Sequence, residues 1–143
     1  MDVNNSDNQE ITSSHRIAKV FEGKLESDQI CPVKDILARF GDKWSIYTVL
    51  LLGKNDTLRF SELRNNITGI SQRMLTVTLR SLEEDGIVKR SIYAEVPTKV
   101  VYELTALGKS LMMQMQQLAL WAEDHLGDIL IARENYSANS RNV

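Results

Sequence analysis

From Gly69 to Gly86 the chain spells out one short helix with a start, a stop and two unlike faces, and this segment restricts the possible folds more than any other. Ser71 stands where an N-cap belongs, its hydroxyl able to accept from a free first-turn N–H, and Ile70 and Leu75 are spaced to close a hydrophobic staple across it. Gly86 supplies the left-handed residue that stops the helix. Within these limits Leu75, Leu79 and Leu82 recur at i, i+4 and i+7 and require a core, whereas Gln72, Arg73, Thr76, Val77 and Arg80 fall on the opposite side. Carboxylates are held back to the final turn, Glu83-Glu84-Asp85. A helix packed from behind that shows Gln, Arg, Thr and Arg has the face of one that enters the major groove of DNA.

The flanking segments fit that reading. Ser61 is the expected cap of a small helix over Glu62 to Asn65, and Ile67-Thr68-Gly69 links it to the Ser71 helix in the order of a helix-turn-helix. After Gly86 the apolar period drops from 3.6 to 2: residues 87–93 and 99–104 read as two strands, joined by Ala94-Glu95-Val96-Pro97-Thr98. A hairpin directly behind a helix-turn-helix is a wing. Upstream, Leu58-Arg59-Phe60 is a minimal strand. Pro32 opens a helix with the stripe Val33, Ile36, Leu37, Phe40, ended by Gly41; Asp42 caps a second helix, apolar on more than one face and stopped by Gly53. Thr105 caps the last helix, where Leu107, Leu111, Met115, Leu118, Ala122 and Leu126 recur at steps of three and four. So long a stripe exceeds what one small domain covers, and a second copy of the chain is its simplest cover, which makes Leu111, Met115, Leu118, Ala122 and Leu126 the expected dimer interface. Residues 1–28 form a polar arm in which Ile17, Val20 and Phe21 allow a docking helix, with a frayed arm the alternative. The fold class is therefore mainly α with a small β-hairpin (α+β): an arm over 1–28, a winged helix-turn-helix domain over 29–131 whose dimerisation helix spans about 105–131, and a disordered tail over 132–143.

Charge is distributed to match. The chain of 143 residues carries a net charge of −2, so any polyanion-binding surface must be local. Lys54, Arg59, Arg64, Arg73 and Arg80 stand against only Asp56 and Glu62 between 54 and 80, whereas Lys109 alone faces Glu103, Glu123, Asp124 and Asp128 between 103 and 128. No apolar run approaches the roughly 20 residues of a membrane span and the start is not a signal peptide, so a cytoplasmic protein is expected. His15 and His125 have no metal-ligand spacing with Cys31 or any carboxylate, and neither a phosphate-binding glycine loop nor a nucleophile motif occurs; no metal, cofactor or enzymatic activity is expected.

Cys31-Pro32-Val33, Gly41-Asp42-Lys43-Trp44, Arg59-Phe60-Ser61-Glu62-Leu63, the run from Gly69 to Leu75, that from Leu79 to Val88, Tyr93-Ala94-Glu95-Val96-Pro97, Tyr102-Glu103-Leu104-Thr105 and Gly108, in this order and spacing, resemble the HxlR family of winged-helix transcriptional regulators, MarR-like in fold. The resemblance implies a homodimeric regulator, a repressor in the leading reading, that binds a pseudo-palindromic operator in double-stranded DNA, often beside its own gene. Gln72, Arg73 and Thr76 are then the base-reading candidates, Gln suited to adenine and Arg to guanine. Ser71 and Arg80, Arg59 and Ser61 at the preceding helix start, and Lys89, Arg90, Thr98 and Lys99 on the wing are the phosphate candidates. Cys31, the only cysteine, is either a small buried hydrophobe or a thiol made reactive by a helix N-terminus with Lys34 nearby. Some members of the resembled family sense quinones, aldehydes or oxidants through the cysteine at this position; with one thiol per chain the switch would be an adduct or a bridge between subunits. The competing readings are a winged helix retained only for protein interaction, which Glu83, Glu84 and Asp85 would suit, and a regulator answering a small molecule at the dimer interface, in the region of Trp44, Tyr47 and Met112.

Overall fold

The structure, a computed structural model, describes residues 32–142, so the expectations for the arm over 1–28 and for Cys31 lie outside the described residues. The chain falls into two compact units that divide after Asp42. In the first, α1 spans Pro32–Phe40 and is closed by the Gly41 N–H donating to the Leu37 carbonyl at 2.8 Å; Val33, Ile36 and Leu37 form an exposed apolar stripe.

The second unit contains α2 (Lys43–Lys54), β1 (Leu58–Arg59), α3 (Phe60–Asn66), α4 (Gln72–Glu84), β2 (Val88–Tyr93), β3 (Lys99–Leu104) and α5 (Ala106–Arg141). The strands form one antiparallel sheet in the order β1-β3-β2. Behind α4, Val49 and Leu52 of α2, Leu63 of α3 and Leu75, Leu79 and Leu82 of α4 are almost fully buried together with Ile87, Val88 and Val101, and this is the core that fixes the pose of α4. Local chemistry sets its limits: the Ser71 hydroxyl accepts from the Met74 N–H at 3.0 Å, Ile70 and Leu75 are both buried as a staple requires, and Gly86 takes φ +74°. Thr105 then ties α5 to the turn after α4. Its N–H donates to the Ile87 carbonyl at 3.0 Å, and its hydroxyl donates to the Gly86 carbonyl while accepting from the Gly108 N–H at 3.0 Å.

Four expectations are corrected. Gly53 does not stop α2 but lies inside it, one residue before its end, where the Met112 side chain of α5 packs over it. Ser61 is not a cap; α3 begins at Phe60 with Arg59 as its N-cap, in extended conformation and with no side-chain cap bond, since pairing of β1 with β3 already fixes the backbone there. The tail over 132–143 is not disordered up to Arg141, where α5 ends. Once a long helix is nucleated each further residue adds a hydrogen bond at little cost, and the good helix formers Ala132, Arg133 and Glu134 carry it into the tail. Finally, Met115 is not available to a partner: at 6% exposure it belongs to the core of its own domain, and Leu111 is half-buried in the same packing. Leu118, Ala122 and Leu126 lie beyond it and are exposed.

Candidate nucleic-acid interface

Leu75, Leu79 and Leu82 are at most 2% exposed, which turns Gln72, Arg73, Thr76, Val77 and Arg80 outward as one continuous face of α4. Gln72 and Arg73 occupy the first turn, the part of a recognition helix that reaches deepest into a groove. The Thr76 hydroxyl donates back to the Gln72 carbonyl at 2.8 Å. Its proton is thereby spent, and what Thr76 offers a base edge is an acceptor lone pair and a methyl group, the latter suited to thymine. Ser71 keeps its hydroxyl proton for a phosphate while its oxygen caps the helix. Arg59 and Ser61 are exposed at the start of α3.

The sequence expectation names Lys89, Arg90, Thr98 and Lys99 as wing contacts, and the hairpin register divides them between different surroundings. Strand alternation sends Lys89 and Arg90 to opposite faces of the sheet. Lys89 lies directly across from Glu103 and pairs with it at 3.8 Å. Arg90 lies across from Tyr102, on the face turned towards α4, with its Nε 3.9 Å from a Glu83 carboxylate oxygen. Lys99 lies on the Lys89 face, its ammonium 5.6 Å from the centre of the Tyr93 ring opposite. Thr98 is exposed in the loop, whose tip offers Glu95, Val96 and Pro97 and no cation. Of the wing cations only Arg90 is therefore brought to the α4 side.

Between α4 and the sheet a cleft of about 400 Å³ joins these groups. Phe60, Leu79 and Tyr102 give it apolar walls, and Gln72, Thr76, Arg80, Glu83 and Arg90 supply its polar groups. Two guanidinium groups and one carboxylate thus share a cleft with two of the base-reading candidates. Among the described residues Arg59, Arg73 and Arg80 form no ion pair. The sequence reading missed Phe60, Tyr102 and Glu83; the signal it contained was the hairpin register, which sets Arg90 opposite Tyr102 once both strands are counted back from Tyr93 and Lys99. Among the described residues no group of three His, Cys, Asp or Glu is gathered as for a metal ion. No described helix is long and apolar enough to cross a membrane.

The described geometry, a helix-turn-helix followed by a two-stranded wing, is matched by known proteins. The family model described as HxlR-like helix-turn-helix matches residues 39–129. The HTH-type transcriptional regulator YtfH of Escherichia coli is 37% identical over 117 residues, which cover 82% of this chain and 91% of that protein. Among solved structures, the transcriptional regulator ytfH from Salmonella typhimurium superposes with a TM-score of 0.67 at 37% identity over 79% of this chain and 99% of that one. The reduced form of the redox regulator HypR does so with a TM-score of 0.63 at 40% identity, over 71% of this chain and 98% of that one. With the matched region spanning the whole helix-turn-helix and wing, the chain belongs to the HxlR-like helix-turn-helix family of DNA-binding transcriptional regulators.

Proposed function

We propose that the chain represses transcription in the cytoplasm as a homodimer, each copy placing the first turns of its α4 in successive major grooves of a pseudo-palindromic operator about 34 Å apart. The observation that carries the proposal is the division of α4 into a buried Leu75, Leu79, Leu82 face and an exposed Gln72, Arg73, Thr76, Arg80 face. Gln72 and Arg73 read base edges and Thr76 a thymine methyl; Ser71, Arg80, Arg90, Arg59 and Ser61 hold phosphates and set the register. Lys89, Lys99 and Thr98 serve as peripheral backbone contacts. The exposed Leu118, Ala122 and Leu126 of α5 make the subunit contact. None of this calls for a cofactor or for catalysis. Footprinting of the DNA upstream of the chain's own gene tests the proposal: two protected half-sites one helical turn apart support it, and protection that random competitor DNA abolishes as readily as specific DNA refutes it.

Cys31 adds a sensing function to this proposal, supported by its place immediately before α1 and by the similarity to a protein that is itself a redox regulator. Treatment with diamide or a quinone is expected to release the wild type from the operator and to leave Cys31→Ser bound. Equal release of both removes the sensor from the proposal.

A further inference from the structure

The acidic end of α4 is the one part of the interface that the DNA-binding reading leaves unexplained. A helix C-terminus disfavours carboxylates, yet α4 ends in Glu83 and Glu84 with no basic residue in its last turn. Glu83 finds its counter-charge outside the helix, in Arg90 of β2. The two side chains are 45% and 44% exposed and line the same cleft as Gln72, Thr76 and Arg80. The pair is consequently open to an incoming phosphate, and at 3.9 Å it is a loose contact. Arg80, on the same cleft, forms no ion pair among the described residues.

Resting on the DNA-binding reading above, we propose that Glu83 is a positioning and specificity-determining residue: it holds Arg90 across the cleft until a phosphate in the correct register takes its place. A phosphate oxygen that enters the cleft mouth at short range makes charge-assisted, bidentate bonds with a guanidinium and displaces a loosely held carboxylate. A backbone that is merely near the surface, as in a non-specific complex, stays at water-separated distance and leaves the Glu83–Arg90 pair intact. Glu83 therefore subtracts one phosphate contact from non-specific complexes. The ordinary worth of such an exposed pair, converted to affinity, is about threefold.

The test uses the full-length protein and a random-sequence duplex of about three helical turns, with binding followed by fluorescence anisotropy over a series of salt concentrations. Glu83→Gln is expected to tighten binding about threefold more than Glu84→Gln, which removes the same charge one residue away. It is also expected to steepen the slope of log affinity against log salt by about 0.9, the signature of one more neutralised phosphate. Adding Arg90→Gln to Glu83→Gln is expected to abolish both gains. Equal effects of Glu83→Gln and Glu84→Gln, or a gain that survives loss of Arg90, overturn the proposal, because net charge alone then accounts for the change. Should Glu83→Gln fail to fold, Glu83→Ala, which removes the same charge and with it the partner of Arg90, carries the same expectation against Glu84→Ala, and its failure to tighten binding is equally decisive. A wild type that binds no duplex at all overturns the DNA-binding reading and this inference with it; a wild type that binds while Glu83→Gln is silent overturns only the inference.

Discussion

Two glycines in α5 should respond to the same substitution with opposite signs. Alanine is the better helix former by about 1 kcal/mol, so propensity alone favours Gly108→Ala and Gly127→Ala equally. At Gly127 nothing within 4 Å would meet the new methyl group, and the gain stands. At Gly108 the added Cβ would lie 2.1 Å from the Ile87 carbonyl oxygen and 3.1 Å from its carbon, both backbone atoms that cannot rotate away. Reaching even 3.0 Å means moving the start of α5 outward by about 0.9 Å (3.0 less 2.1). That displacement lengthens the hydrogen bonds through which Thr105 holds Gly86 and Ile87 without breaking them, a loss of about 1 kcal/mol between the two, in addition to about 2 kcal/mol for overpacking. After the propensity gain is subtracted, Gly108→Ala is left roughly 2 kcal/mol less stable than the wild type. At about 4 °C per kcal/mol, thermal unfolding followed by circular dichroism should show Gly108→Ala lowered by roughly 8 °C and Gly127→Ala raised by about 4 °C. A Gly108→Ala protein that melts at or above the wild type would refute the close approach of α5 to Ile87.

Two further substitutions separate stability from recognition. Thr48 is fully buried on α2 and its hydroxyl has no hydrogen-bond partner among the described residues, so Thr48→Val should raise stability by about 1 kcal/mol, read as a higher urea midpoint at unchanged slope; a lower midpoint would show that the hydroxyl is bonded in solution. Arg73→Ala, on the exposed face of α4, should weaken operator binding by about 1–3 kcal/mol and leave the melting temperature nearly unchanged, and an equal loss on random-sequence DNA would assign Arg73 to phosphate instead of base contact.

What could be read from the sequence was what local chemistry decides. The limits of α4 follow from Ser71 and Gly86, and the wing follows from alternation after Gly86, because a cap, a left-handed residue and a period of 2 each act within a few residues. What could not be read depends on partners distant in sequence. Gly53 resembles a helix stop in isolation, and only the structure shows α2 running on to Lys54 with Met112 of α5 packed over the glycine. Ser61 resembles a cap, but the pairing of Leu58 with Tyr102 and of Arg59 with Val101 had already placed the helix start two residues earlier. Lys89 and Arg90 are equivalent as adjacent wing cations until the register sends one to Glu103 and the other towards α4. The Glu83–Arg90 pair joins two elements across the turn at Gly86, and neither residue alone signals it.

The long apolar stripe of α5 has a buried part and an exposed part that share one period, which is why periodicity could not divide it. Gly108, packed against Ile87, and Met115 are buried within the chain, and Met112 meets Gly53 of α2; beyond Met115 the side chains Leu118, Trp121, Leu126 and Leu130 are each about half exposed. The division should appear as a difference in kind between two variants. Met115→Ala removes buried methylenes and leaves a cavity, at a cost of about 2–5 kcal/mol, so it should lower the melting temperature at every protein concentration. Leu118→Glu with Leu126→Glu leaves the chain's own core untouched and, on the proposed dimer, sets four carboxylates into an apolar contact. Sedimentation should then show a monomer, circular dichroism should show that it keeps its helical content, and operator affinity should fall by much more than the loss of any one base contact, since each half-site now binds without its neighbour. A double variant that remains dimeric would place the subunit contact elsewhere than on the distal half of α5, whereas a Met115→Ala protein that dissociates without loss of stability would return Met115 to the interface.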